Sequence, residues 1–182
     1  MNQGLIPNRY AKALFKFASE KGEADRVYEL MKSLAASFVA QPGLQTVIAN
    51  PYIPADDKTR LLTTAAHADE KKDTCYADFL RLLLQNRRIE FARDIALAYL
   101  DIYREAKNIY LVKLTTAASL PEEEIKRLHD LVERHLDGAS MEFSRTVDPG
   151  LIGGFVIDIN SERLDASVSN ELKQLRLKLL SN

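Results

Sequence analysis

No glycine occurs between Gly43 and Gly138, and no proline between Pro54 and Pro121. These two residues are the strongest breakers of helical structure, so their absence over so long a run predicts uninterrupted helices. Helical spacing of apolar residues agrees. Tyr10, Leu14, Phe17 and Ala18 fall at i, i+4, i+7 and i+8, with Pro7 in the first turn, where its missing N–H costs nothing. Phe15 cannot share that face, which predicts a first helix in contact on two sides. Val27, Leu30, Met31, Leu34 and Phe38 form a second stripe, ended by Gln41-Pro42-Gly43. Leu44, Val47 and Ile48 make a short third helix, and Pro54 opens a fourth with Asp56 and Asp57 in its first turn. Tyr76, Phe79, Leu80, Leu83 and Leu84 give a broad apolar face closed by polar residues. Phe91, Ile95, Ala98 and Ile102 continue toward Lys107-Asn108. About six helices before residue 107 suffice for a bundle.

The period changes at Ile109. Tyr110, Val112, Leu114 and Thr116 alternate with Leu111, Lys113 and Thr115, which predicts a strand. Ser119-Leu120-Pro121-Glu122 reads as a capping box for a helix carrying Ile125, Leu128, Leu131, Val132 and Leu136, ended by Gly138. Met141 with Phe143, and Phe155 with Ile157 and Ile159, supply two further strands around a turn at Asp148-Pro149-Gly150. Asp165 is placed to cap a last helix bearing Val168, Leu172, Leu175 and Leu179. The fold class is therefore α+β: an N-terminal all-α six-helix bundle over residues 1–106, then a small C-terminal α/β domain over 107–182 with a short sheet and two helices.

Charge and motif content restrict the function. Lys and Arg number 25 against 26 Asp and Glu, a formal net charge of −1, which offers no electrostatic footprint for nucleic acid. Arg9, Lys12 and Lys16 interrupt the opening segment, so no secretory leader is expected, and no apolar run is long enough to span a bilayer. Cys75 is the single cysteine. His67, His129 and His135 lack metal-site spacing; His129 and Glu133 at i, i+4 supply only two ligands. Gly153-Gly154 lacks the Lys-Ser/Thr of a phosphate loop and reads instead as a close backbone approach. No nucleophile and base pair is evident. Neither catalysis, metal nor cofactor is expected. The basic pair Arg87-Arg88 has the chemistry to meet a phosphate or a carboxylate, although a solvated loop is the usual role of such a pair.

Three blocks carry a resemblance. Asn8-Arg9-Tyr10-Ala11-Lys12-Ala13-Leu14-Phe15 is similar to the opening R-Y-A-x-A-L/F-F segment of the delta subunit of F-type ATP synthases, the family of the mitochondrial oligomycin-sensitivity-conferring protein. Phe79-Leu80-Arg81-Leu82-Leu83-Leu84-Gln85-Asn86-Arg87-Arg88 resembles its F-x-x-L-L-x-x-N-x-R segment, with Arg87 where the family often has Gly. Val147-Asp148-Pro149-Gly150-Leu151-Ile152-Gly153-Gly154-Phe155-Val156-Ile157, followed by Leu164-Asp165-Ala166-Ser167-Val168, resembles the C-terminal signature.

The resemblance implies a non-catalytic stator subunit of the peripheral stalk. Its N-terminal bundle would receive the N-terminal helix of an alpha subunit in a groove between the first and fifth helices. Its C-terminal half would meet the C-terminal region of the b subunits. Such a subunit would sit peripherally at the cytoplasmic face of a bacterial inner membrane, held through other subunits. Tyr10, Ala11, Leu14, Phe79 and Leu83 are the candidate groove residues, and Leu83→Asp is expected to weaken partner binding by more than about 2 kcal/mol while the bundle stays folded. The alternative reading is a helical adaptor for some other amphipathic helix.

Overall fold

Helix α1 (Leu5–Glu20) turns Pro7, Ala11, Leu14 and Ala18 inward, a 4-3-4 spacing that keeps one stripe on one face. It ends on Gly22, whose φ of 72° allows the reversal into α2. The Gly22 N–H donates to the Ser19 carbonyl at 3.1 Å, and the Glu23 N–H to the Ala18 carbonyl at 2.8 Å. The chain is represented by a computed structural model that describes residues 4–69, 71–160 and 162–180, and it divides into two compact units between Ala106 and Lys107.

The first unit continues with α2 (Ala24–Ala40), α3 (Gly43–Ala49), α4 (Ala55–Ala65), α5 (Thr74–Gln85), a single 3-10 turn at Ile89–Phe91, and α6 (Ala92–Lys107). Its interior is continuous. Leu30, Met31, Leu34, Leu62, Leu80, Leu83 and Ile95 are each 2% exposed or less. Buried tyrosines satisfy their hydroxyls on backbone: Tyr76 donates to the Leu62 carbonyl at 3.0 Å, and Tyr99 to the Ala24 carbonyl at 3.1 Å. Tyr28 and Tyr103 stack with ring centroids 4.1 Å apart, and Phe15 meets Tyr99 and Tyr103 edge-on. One ion pair ties α2 to the segment before α5. Arg26 Nε and Nη2 donate to the two carboxylate oxygens of Asp73 at 2.7 and 2.9 Å, and the Asp69 N–H also donates to Asp73 at 2.8 Å. The guanidinium hydrogen bonds hold the Asp73 carboxyl below the usual carboxylate range.

The second unit holds β1 (Tyr110–Thr116), α7 (Glu122–His135), β2 (Met141–Val147), a 3-10 turn at Pro149–Leu151, β3 (Gly154–Ile159), β4 (Glu162–Ser167) and α8 (Val168–Leu180). The sheet order is β2-β1-β3-β4. Strand β1 pairs parallel to β2, with α7 as the crossover, and antiparallel to β3; β3 and β4 form a hairpin. Val112, Leu114, Val132 and Ile157 form its small core, with Leu128, Leu136, Met141 and Phe143 against it.

Three local expectations are corrected. The capping box at Ser119 does not form, because Pro121 is the N-cap and α7 begins at Glu122 with no side chain capping it. A proline disfavours helical backbone in the residue before it, so Leu120 cannot be the first helical residue that a Ser119 cap requires. Asp165 does not cap the last helix; it lies within β4, a strand not foreseen. Its carboxylate accepts from the Ser167 N–H and hydroxyl at 3.0 and 2.6 Å, and the Ser167 oxygen accepts from the Asn170 N–H at 3.2 Å. Gly138 follows the left-handed Asp137 (φ 51°), so the helix reverses one residue earlier than glycine placement suggests. The side chains of Leu175 and Leu179 lie outside the described part of α8.

Two special backbone positions shape this unit. Gly154 has φ 75°, and a Cβ there would run into the Ala166 carbonyl on β4, so only glycine lets the hairpin close. Ile152, beside it, is β-branched yet sits at φ 65°, with its side chain 69% exposed.

Candidate functional site

The five groove residues do not share one environment. Ala11 and Leu83 are fully buried and Leu14 and Phe79 are 4% exposed, whereas Tyr10 is half-buried. Four of the five therefore build the contact of α1 with α2 and α5 inside the bundle and leave no apolar surface for a partner. The expectation for Leu83→Asp is corrected accordingly: a carboxylate there enters the core, where an unpaired charge is unaffordable to the fold.

A second stripe on α1 does face outward. Ile6 and Tyr10 are half-buried, Ala13 is exposed and Phe17 is 37% exposed. They recur at i, i+4, i+7 and i+11, about 100° around the helix from the buried Pro7, Ala11, Leu14 and Ala18. The apparent single stripe of Tyr10, Leu14, Phe17 and Ala18 mixes the two. Phe15 accounts for a third direction, packing on Tyr99 and Tyr103 of α6.

Helix α5 borders the outer stripe. Lys21 Nζ lies 4.4 Å from the Phe17 ring centre and 3.9 Å from the Asp78 carboxylate, and Arg81 Nη1 donates to Asp78 at 2.9 Å. Leu82, one turn beyond Asp78, is 43% exposed. An apolar row edged by charges of both signs suits an amphipathic helix: the row supplies anchors, and the exposed charges set register while adding little affinity.

Arg87 and Arg88 close α5. Arg87 takes the left-handed conformation, φ 54°, at the position where glycine is usual. Its N–H donates to the Leu84 carbonyl at 3.0 Å and that of Arg88 to the Leu83 carbonyl at 2.8 Å, the paired reverse bonds of a left-handed helix end. The turn thus keeps its geometry without glycine. The Arg88 guanidinium lies 6.0 Å from the Phe91 ring.

The histidine expectation gains one residue. His129, Asp130 and Glu133 bring one ligand atom each within 4.8 Å of one another on α7. They face solvent, and His129 also rests edge-on against Phe143, so the arrangement is that of a solvated helix face.

A family comparison decides what these surfaces belong to. Residues 6–179 match the family described as ATP synthase delta (OSCP) subunit. The chain belongs to that family. It is 39% identical over 180 residues to the ATP synthase subunit delta of Bacteroides thetaiotaomicron, covering 99% of this chain and 96% of the relative. It is 29% identical over 174 residues to that of Prochlorococcus marinus, covering 96% of each. Its fold is similar to a chain in the mitochondrial ATP synthase hexamer of Toxoplasma gondii, with a TM-score of 0.73 at 21% identity over 96% of this chain and 97% of that one. Family members are non-catalytic components of the peripheral stalk of F-type ATP synthase, and so is this chain. No helix among the described residues is long and apolar enough to cross a membrane.

Proposed function

We propose that the first unit grips the N-terminal helix of an alpha subunit on the outer stripe of α1, and that the second unit carries the C-terminal region of the b subunits. The reading places the chain peripherally on the cytoplasmic face of a bacterial inner membrane, where it couples head and stalk during proton-driven rotation. The observation that carries it is the row Ile6, Tyr10, Ala13 and Phe17, left only partly covered beside α5. Ala13 allows close approach of a helix, and Tyr10 and Phe17 offer broad anchors at low entropic cost. Ala11, Leu14, Phe79 and Leu83 contribute from behind by holding α1 and α5 in register.

The second unit offers a different surface. Val168 and Leu172 of α8 are 38% and 52% exposed, and α8 packs on the 3-10 turn that displays Ile152. A β-branched residue held at positive φ costs of order 1–2 kcal/mol. That strain, with the side chain left in water, supports a surface completed by a partner.

Titration calorimetry of the full chain with a synthetic peptide from the start of an alpha subunit tests the first contact. Phe17→Asp is expected to weaken binding by more than about 2 kcal/mol while stability changes by less than about 0.5 kcal/mol. Unchanged affinity removes the outer stripe from the interface.

A further inference from the structure

Lys58 is 8% exposed, the only lysine or arginine among the described residues buried to that degree. The burial is that of the aliphatic stem: the Lys58 ammonium is not among the enclosed polar atoms without a partner, so it opens to the surface. Among the described residues its ammonium has neither hydrogen-bond acceptor nor ion-pair carboxylate, while its backbone N–H donates to the Pro54 carbonyl at 3.2 Å. Asp57 precedes it, but adjacent residues on a helix diverge, and Asp56 and Asp57 are exposed.

Lys58 lines a cleft of about 640 Å³ between α3, the start of α4 and the end of α5. That is within the range of small-molecule sites, roughly 300–1,000 Å³. Ile48, Ile53, Leu84 and Ile89 supply apolar wall, and Tyr52, 93% exposed, stands among the lining residues. Two other charges line it, Arg87 and Glu90. Arg87 is exposed, and its guanidinium likewise has no partner among the described residues. The first turn of α4 has no side-chain cap, although Asp56 and Asp57 already answer its dipole, so Lys58 and Arg87 are the groups left to bind an anion.

We infer that this cleft binds a small monocarboxylate with an apolar or aromatic body, its carboxylate held by Lys58 and Arg87. Charge selects the class. Lys58 and Arg87 against Glu90 leave one net positive charge, which one carboxylate balances and a polyphosphate would exceed. The wall selects the body, since a small hydrophilic anion would leave Ile53 and Leu84 uncompensated. The site is independent of the α1 stripe and stands or falls without it.

Phenylacetate and phenylacetamide, which share a body and differ in charge, are the probes, titrated into the full chain by calorimetry and amide-resolved NMR. Phenylacetate is expected to bind saturably below about 10 mM, with shifts centred on residues 48–58 and 84–90, and the amide at least about tenfold more weakly. Lys58→Met keeps the stem and removes the charge; it is expected to lose the preference for the acid. Arg87→Gly separates binding from folding, because it relieves the left-handed strain and yet is expected to weaken phenylacetate several-fold. Equal affinity for acid and amide overturns the assignment, as do no saturable binding, shifts elsewhere, or full affinity in Arg87→Gly. If Lys58→Met does not fold, the acid–amide comparison and Arg87→Gly decide.

Discussion

The two units invest their apolar residues differently. Among the described residues, all but five of the buried apolar side chains belong to the first unit; the exceptions are Val112, Leu114, Val132, Val156 and Ile157. The second unit leaves Leu131, Val147, Ile152, Leu164, Leu172 and Leu177 more than half exposed. Single exposed leucines are ordinary, but so many beside so small a core are not. The bundle is complete in itself and presents a narrow stripe to a partner. The sheet unit has an unfinished apolar surface and gains stability in proportion to what covers it.

The largest effect that can break this contrast is Leu83→Asp. It is expected to unfold the bundle, at more than about 4 kcal/mol, read from denaturant midpoints. A folded variant with an unshifted midpoint would mean that Leu83 faces out and the bundle is as incomplete as its neighbour. Asp73→Asn follows, at about 2 kcal/mol, from loss of the forked Arg26 pair. Because the native carboxyl titrates below its ordinary value of 3.8, its contribution is complete above that pH and disappears as pH falls through the lower native value. The wild-type bundle should therefore lose stability in acid that Asp73→Asn has already lost, and parallel acid curves would contradict this.

Arg87→Gly is expected to stabilise the first unit by about 1 kcal/mol, since glycine takes φ 54° without strain. Smallest is Leu172→Asp, within about 0.5 kcal/mol for the isolated chain, because the side chain is already half in water. The same variant should sharply weaken binding to a C-terminal b-subunit fragment. A large loss of stability in the chain alone would show that the surface is packed from within.

Much of this fold was readable from the chain because its helices are punctuated at Gln41-Pro42-Gly43, Asn50-Pro51 and Pro54, with strong 3.6-residue stripes between. The site was not readable in the same way. On α1 both the inner and the outer stripe are apolar, and hydrophobicity alone does not tell which meets α5 and which meets solvent. Four groove residues were consequently drawn from the core. Strand β4 escaped because Glu-Arg-Leu-Asp-Ala-Ser is a polar edge strand whose pairing comes from backbone, not from side-chain burial. Lys58 was silent because nothing in the neighbouring residues signals that a lysine stem will be enclosed.

The aromatic cluster around Tyr28, Tyr99 and Tyr103 has a practical consequence. With no tryptophan and six of the seven tyrosines before residue 107, ultraviolet emission from this chain reports almost entirely on the bundle. The enclosed phenols of Tyr76 and Tyr99, pushed above the normal range by burial, stay protonated in alkali until the helices part. The share of tyrosinate absorbance that Tyr76 and Tyr99 contribute is thus an intrinsic gauge of when the helices come open, needing no dye or label.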